Sequence, residues 1–232
     1  MDERVGLERD ERAGAEARGA EPGASVADEA TPVAEMDLIG GRVALDFVNT
    51  GSSRRVGPFR EKLRSYDDLV TFAGRIDAGI DEATAERLRR LAERDPGAAN
   101  VVLERGRELR EAIYRAFSSM SRGGAAAAAD LEIIGAAAAR ASAHRRLVPT
   151  AEGCMWEYAD SEALERPLWP VALDAVALAT SSDVPRVKEC ASDNCNWLFL
   201  DVSKNRSRRW CDMKDCGNRA KARRHRARTR AS

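Results

Sequence analysis

Hydrophobic positions recur at intervals of three or four residues over much of the chain, which is the spacing of helices that bury one face. The clearest example is SYDDLVTFAGRI (65–76), in which four apolar side chains share one helical face. Ser65 and Asp68 are placed to form a capping box at its start. The segment is therefore predicted to be an amphipathic helix.

The same periodicity predicts further helices downstream. One begins near Asp81 and stops before the DPG at 95–97, and the next begins at Asn100, its expected N-cap, and ends before the SRGG at 121–124. The alanine-rich stretch 125–146 favours a helix through the intrinsic propensity of alanine. Helix is thus the main secondary structure expected.

Extended structure is predicted in short pieces. RRLVPTAEGCMWEYA (145–159) has two β-prone runs around a Glu-Gly turn, which indicates a hairpin. RPLWPVALDAVALATSS (166–182) returns to helix, with Pro170 in the first turn. GGRVALDFVNT (40–50) fits either a strand or the first turn of a buried helix. The predicted fold class is mainly α with a minor β element.

Charge is distributed unevenly along a chain whose formal net charge is zero. Residues 1–35 carry ten acidic and four basic side chains without apolar periodicity, so they are predicted to form a disordered acidic leader. They lack the basic start and the apolar stretch of a signal peptide, which favours a cytoplasmic protein. No apolar run approaches the roughly 18 residues of a membrane-spanning helix, so no membrane contact is expected.

Four of the five cysteines form two matched pairs. Cys190 and Cys195 have four residues between them, as do Cys211 and Cys216, and fifteen residues separate the pairs. In a reducing cytoplasm two close thiolate pairs suit one tetrahedral structural zinc ion better than disulfides, with free thiols or redox pairs as the alternatives. Four thiolates leave no open position for catalysis. Cys154 stands apart and is assigned no role.

The residues between the cysteine pairs predict how such a zinc module is built. WLFLD (197–201) and RRW (208–210) are β-prone and flank a turn-forming segment, so a short hairpin is expected between two knuckles, followed by a helix. Zinc is worth roughly 10 kcal/mol or more to peptides of this size, which contain little apolar material. A zinc-stabilised knuckle–hairpin–helix module is predicted over 187–230, joined at SSDVPR (181–186) to a mainly helical domain over 36–182.

The C-terminal segment is strongly basic. Residues 204–230 hold twelve lysines or arginines against two aspartates, so the segment is near +10. Arginine's planar guanidinium suits phosphate groups and guanine edges, which makes double-stranded DNA the expected partner and a solvated basic tail the alternative. The expected contacts are Lys204, Arg206, Arg208, Arg209, Arg219, Lys221, Arg223, Arg224, Arg226 and Arg228.

The cysteine segment, which contains Cys216-Gly217-Asn218-Arg219, resembles the CGNR zinc-finger family over about residues 188–228. Upstream, the segments GGRVALDFVNT, SYDDLVTFA and LREAIYRAF (109–117) resemble the ABATE domain that commonly precedes this finger in bacterial proteins. The resemblance implies a stress-responsive transcription regulator. Its upstream domain would sense a small-molecule inducer and its finger would bind DNA.

A ligand pocket in the upstream domain would draw on polar and aromatic groups of its motif and hairpin. The candidates are Asp46, Asn49, Thr50, Trp156 and Trp169. The alternative is that the two tryptophans are core residues and that Asp46 and Asn49 cap local backbone. A homodimer through 36–182 is expected, because one small finger would bury little DNA surface.

The sequence favours neither of two other functional classes, an enzyme or an RNA-binding factor. The sequence contains no HExxH, no Gly-rich loop ending in Lys-Ser or Lys-Thr, no GxSxG and no zinc-deaminase signature, so no enzyme activity and no catalytic residue are predicted. An RNA- or ribosome-associated factor using the same cations is the alternative. Readers of single-stranded RNA usually display stacking aromatics, whereas Trp197, Phe199 and Trp210 are better explained as the finger's core. The expected location is the cytoplasm, at the nucleoid.

Overall fold

Helices dominate the chain, as predicted, in a computed structural model that describes residues 31–52, 54, 58–76, 80–158, 163–193 and 195–230. The α-helices of these residues are α1 (Val43–Val48), α2 (Tyr66–Arg75), α3 (Glu82–Arg94), α4 (Pro96–Ser121), α5 (Ala128–Ala143), α6 (Trp169–Ala179) and α7 (Asn218–Arg230). The strands are β1 (Gly51–Ser52), β2 (Arg60–Glu61), β3 (Arg145–Thr150), β4 (Gly153–Tyr158), β5 (Val187–Glu189) and β6 (Leu198–Leu200).

Side-chain caps set the starts of the first long helices. The predicted capping box opens α2, where the Asp68 carboxylate accepts from the N–H of Ser65 at 2.8 Å. Helix α3 begins near Asp81 as predicted, and the Asp81 side chain caps it. The predicted start of α4 at Asn100 is wrong: the helix begins at Pro96, because Asp95 accepts from an N–H of the first turn at 2.8 Å and proline is suited to that turn.

The core forms around α4, against which α1, α2, α3, α5 and α6 all pack. The ambiguous segment 40–50 contains a helix, α1, with five consecutive buried residues from Ala44 to Val48. A half-buried strand would expose alternate residues, whereas this short helix is enclosed by α4 and α6. Phe47 meets Phe72 of α2 edge to face, with ring centroids 5.2 Å apart.

Strands β3 and β4 form the predicted antiparallel hairpin. Leu147 lies opposite Trp156, and Val148 lies opposite Met155. Leu147, Met155 and Trp156 are each more than half exposed. The hairpin therefore displays large apolar side chains to solvent.

The predicted leader is too long at its C-terminal end. Its residues 1–30 lie outside the described part of the chain, but 31–35 belong to the fold. Val33 is fully buried, and its carbonyl accepts from Arg75 of α2 at 2.5 Å. None of the helices in the described residues is both long and apolar enough to cross a membrane.

The residues after the predicted joint do not pack separately from the helices. The joint contributes a short 3₁₀ turn, Val184–Arg186, which leads directly into β5. Val187, Leu198 and Leu200 belong to the same buried cluster as the core of the helical part. The described residues from Thr31 onward accordingly form one compact unit.

Candidate metal centre and nucleic-acid interface

Cys190, Cys195, Cys211 and Cys216 converge on one buried point. Their Sγ atoms all lie within 4.8 Å of one another. The Sγ of Cys211 is 3.5 Å from that of Cys195 and 3.6 Å from that of Cys216. Zinc–sulfur bonds of about 2.3 Å in a tetrahedron place sulfurs about 3.8 Å apart, so the donor set and its spacing fit the metal. The four cysteines hold one structural zinc ion.

Each cysteine pair is presented by a tight turn. The first pair lies between β5 and β6, and Asn196, directly after Cys195, adopts the left-handed conformation with φ of 63°. In the second pair, Cys211 precedes a π-helical turn, Met213–Gly217, and Cys216 lies within it; the Asp212 carboxylate caps this turn by accepting from a backbone N–H at 2.7 Å. Helix α7 continues from this turn, so the metal fixes the start of the basic helix.

The hairpin of the module is not where the sequence placed it. β6 pairs with β5 on the other side of the first knuckle, and 208–210 is not a strand. Asp201 organises the following segment (201–209), since its carboxylate accepts from Lys188 at 2.6 Å, from Ser203, and from the N–H of Arg208 at 3.0 Å. Burial opposes ionisation of Asp201, but these donors hold its pKa below the ordinary range.

Two of the predicted DNA contacts are turned towards the metal centre. Arg219 donates to the Sγ of Cys216 at 3.1 Å and to Asp215 at 2.8 Å. Burial disfavours the charge of Arg219, but the bond to Cys216 raises its pKa. Arg208 lies over the Phe199 ring at 4.3 Å and donates to the carbonyls of Trp210 and Cys211. Four thiolates around a dication leave two negative charges, which these guanidinium groups offset.

The other predicted cations lie on the surface. Lys204, Arg206 and Arg209 are exposed on the 201–209 segment, and α7 is exposed from residue 221 to residue 229. Arg223 lies 3.6 Å from the Asp193 carboxylate, a contact open to solvent on both sides. We define the basic surface as the exposed members of the predicted set: Lys204, Arg206, Arg209, Lys221, Arg223, Arg224, Arg226 and Arg228.

The zinc module is attached to the helical part by buried hydrogen bonds to its backbone. The Asn49 side chain, which is fully buried, donates to the carbonyl of Leu198 and accepts from its N–H, both at 2.9 Å. The N–H of Leu200 donates to the carbonyl of Gly40 at 2.8 Å. A side chain at Gly40 would lie 2.8 Å from the backbone nitrogen of Asp46, so this close approach requires glycine.

A second set of hydrogen bonds joins α4 to the first knuckle. The Glu189 carboxylate accepts from Tyr114 at 3.2 Å, from Ser118 at 2.8 Å and from Arg122 at 3.0 Å. It also accepts from Asn196 at 3.1 Å, beside the metal ligand Cys195. Sequence reasoning missed Glu189, as it missed Asp201, because a lone carboxylate next to a cysteine motif carries no spacing signal.

The five residues predicted to line a ligand pocket are not brought together. Asp46 accepts from the N–H of Gly40 at 2.7 Å, and burial raises its pKa to about 6. Thr50 donates to the carbonyl at 47. Asn49 holds the zinc module, Trp156 is exposed on β4, and Trp169 is buried at the start of α6. Among the five, Trp169 lines a cavity.

The fold and the site define a zinc-finger protein with an upstream helical domain. Residues 41–182 match the ABATE family, described as "Putative stress-induced transcription regulator", and residues 186–229 match the CGNR zinc finger. The chain belongs to the ABATE family and carries a CGNR finger, as the sequence resemblance predicted. No curated protein matches it. The two family matches indicate a transcription regulator with a zinc module.

Proposed function

We propose that this protein regulates transcription by binding double-stranded DNA through its basic surface. The observation that carries the proposal is the exposure of α7 from residue 221 to residue 229, directly after a metal-anchored turn. The exposed part of α7 gains no stability from burying an apolar face, and its clustered cations repel one another. Phosphate groups along a duplex would relieve that repulsion.

RNA is the weaker candidate because the aromatic side chains of the finger pack into its small core. Phe199 is fully buried, and Trp197 and Trp210 pack against the cysteine cluster. Readers of single-stranded RNA stack bases on exposed rings. The observed arrangement supports an electrostatic reader of duplex backbone.

The test is a titration of the zinc-quantified full chain against a random duplex and fragments from its own promoters, with single-stranded RNA as competitor. At about 50 and 200 mM salt, the log–log slope should be about −0.9 for each neutralised phosphate. A variant with Arg224→Glu and Arg226→Glu should bind duplex at least about tenfold more weakly and with a shallower slope.

The matched control reverses two exposed arginines of α3, Arg90→Glu and Arg94→Glu, for the same change in net charge. The control should keep wild-type affinity. Equal losses in the two variants, or RNA that displaces the duplex completely, would overturn the proposal.

The proposal extends to sensing, assembly and place of action. The upstream helical domain senses a small-molecule inducer, in keeping with the family's description as stress-induced. A homodimer forms through the upstream domain, for which the exposed Leu147, Met155 and Trp156 of the β3–β4 hairpin are available. Regulation requires no catalytic step, and the protein acts at the nucleoid in the cytoplasm. A monomer mass by light scattering, with and without DNA, would refute the dimer.

A further inference from the structure

A cavity of about 210 Å³ lies between α4, α5 and the start of α6. No residue of the basic surface or of the metal centre lines it. An apolar protein cavity of roughly 150 Å³ holds a benzene molecule, so this cavity has room for a ring with a substituent. Its size indicates a small organic ligand.

The inner wall of the cavity is apolar and its rim is charged. Leu109, Leu168 and Trp169 are buried, whereas Arg105 and Arg140 each expose about half of their side chains, 51% and 48%. Such a wall takes up an apolar body, and charged groups at one end orient it. The ligand is therefore expected to be amphipathic.

Trp169 supplies an aromatic ring to this wall. The residue is 2% exposed, and its Nε1–H has no acceptor among the residues that the structure describes. Its ring is stacked on His144, with centroids 4.3 Å apart. Because this N–H is closed off from water, its signal should report changes in the packing of the wall around it.

The rim arginines have donors to spare for a carboxylate. Arg105 donates to one Glu165 oxygen at 2.6 Å, and Arg140 lies 3.3 Å from the other. Each guanidinium has five N–H donors, so both can also bind a second carboxylate. Glu108 and Glu165 leave the rim formally neutral, so binding would require these directed hydrogen bonds and not a general attraction for anions.

We propose that this cavity binds a small carboxylate with a ring-sized apolar body. The ring lies against the wall of Leu109, Leu168 and Trp169, and the carboxylate is held by Arg105 and Arg140. This ligand is the inducer class of the regulator, an assignment that rests on the proposed function.

The cavity wall is linked to the zinc module through α6 and α1. Asp174 of α6 accepts from Arg42 at 2.6 Å and from the N–H of Ala44 at 2.9 Å. Asn49, which follows α1, holds the strand of the zinc module. A bound carboxylate that shifts α6 would act on the finger through these contacts. If the carboxylate changes the affinity for DNA by some factor, DNA must change the affinity for the carboxylate by the same factor.

The test uses the zinc-loaded full chain labelled with ¹⁵N at its four tryptophans. Benzoate, phenylacetate, 3-phenylpropionate and indole-3-acetate are titrated, each beside its uncharged amide. We expect saturable shifts of the Trp169 indole signal, assigned with Trp169→Phe, by at least one carboxylate and not by its amide. Arg140→Gln should weaken that binding roughly 10- to 100-fold.

Ala136→Leu blocks the mouth of the cavity and should abolish the shifts, whereas Ala139→Leu, exposed on the same helix outside the lining, should not. No shift with any carboxylate, or equal shifts with the amides, would overturn the proposal. DNA affinity measured on the same samples separates the carboxylate-site proposal from the DNA-binding proposal. DNA binding without carboxylate binding refutes only the carboxylate site. Carboxylate binding without DNA binding refutes the DNA-binding function.

Discussion

Replacing Asn49 by leucine tests whether the finger and the helical domain fold as one unit. The Asn49 amide makes two hydrogen bonds of 2.9 Å to the backbone of Leu198, and both residues are fully buried. Leucine has a similar volume but offers neither donor nor acceptor. The substitution therefore leaves one buried N–H and one buried carbonyl of β6 without their partners.

The expected cost follows from those two groups. An unsatisfied buried polar group costs roughly 1–3 kcal/mol, so Asn49→Leu should lower the free energy of unfolding by about 2–6 kcal/mol. That loss is a large part of the roughly 5–15 kcal/mol that stabilises an ordinary domain. Asn100→Leu, at an exposed position of α4, is the matched control and should change stability by about 0.5 kcal/mol or less.

The assay is urea unfolding followed by far-ultraviolet circular dichroism for the helices and by a colorimetric chelator for released zinc. In the wild type both probes should give one coincident transition, and in Asn49→Leu both should move together to lower urea. Zinc release from the wild type in a separate, earlier transition would show that the finger unfolds independently of the helices. A cost below about 1 kcal/mol for Asn49→Leu would show that the two hydrogen bonds to Leu198 do not hold the finger in place.

Three further predictions concern single side chains. Burial raises the pKa of Asp46 from 3.8 to about 6, so the folded chain binds the carboxyl proton more tightly than the unfolded chain does. The free energy of unfolding should therefore fall by up to about 3 kcal/mol as the pH rises from about 4 to 6. Urea melts of Asp46→Asn should not show this fall. Arg219→Ala should weaken zinc binding roughly tenfold in chelator competition, whereas Lys221→Ala should not. Glu61→Gln should cost roughly 1–3 kcal/mol in thermal melts, because it removes one of the two carboxylates that pair with the buried Arg110 guanidinium, while Glu111 remains.

The helices and the metal ligands could be predicted because their signals are local. The capping box at Ser65, the cap at Asp81 and the two cysteine spacings each depend on residues a few positions apart. The start of α4 was missed because Asp95 and Asn100 are both acceptable caps, and the sequence does not rank them. The structure selects Asp95, since Pro96 then occupies the first helical turn.

The attachment of the finger to the helical part could not be predicted, because its contacts join residues far apart in sequence. Asn49 and Leu198 are separated by 149 positions, and Glu189 reaches Tyr114 across 75. The strand pairing of β6 was misplaced for a related reason. A β-prone run specifies that a strand forms but not its partner, and Asp201 ties 201–209 into a loop.

The shared core restricts how a signal could pass from the helical domain to the basic helix. Ile39, from the segment before α1, packs against the cysteine cluster, and Leu198 and Leu200 pack into the core of the helical part. A finger joined by a loose linker could reorient without disturbing the helices, but this finger cannot. Any change in the direction of α7 that begins at the helices must repack buried side chains or break the bonds at Asn49 and Glu189. Packed interfaces of this kind change between discrete arrangements and do not deform continuously, so a regulatory ligand would act by favouring one of two arrangements.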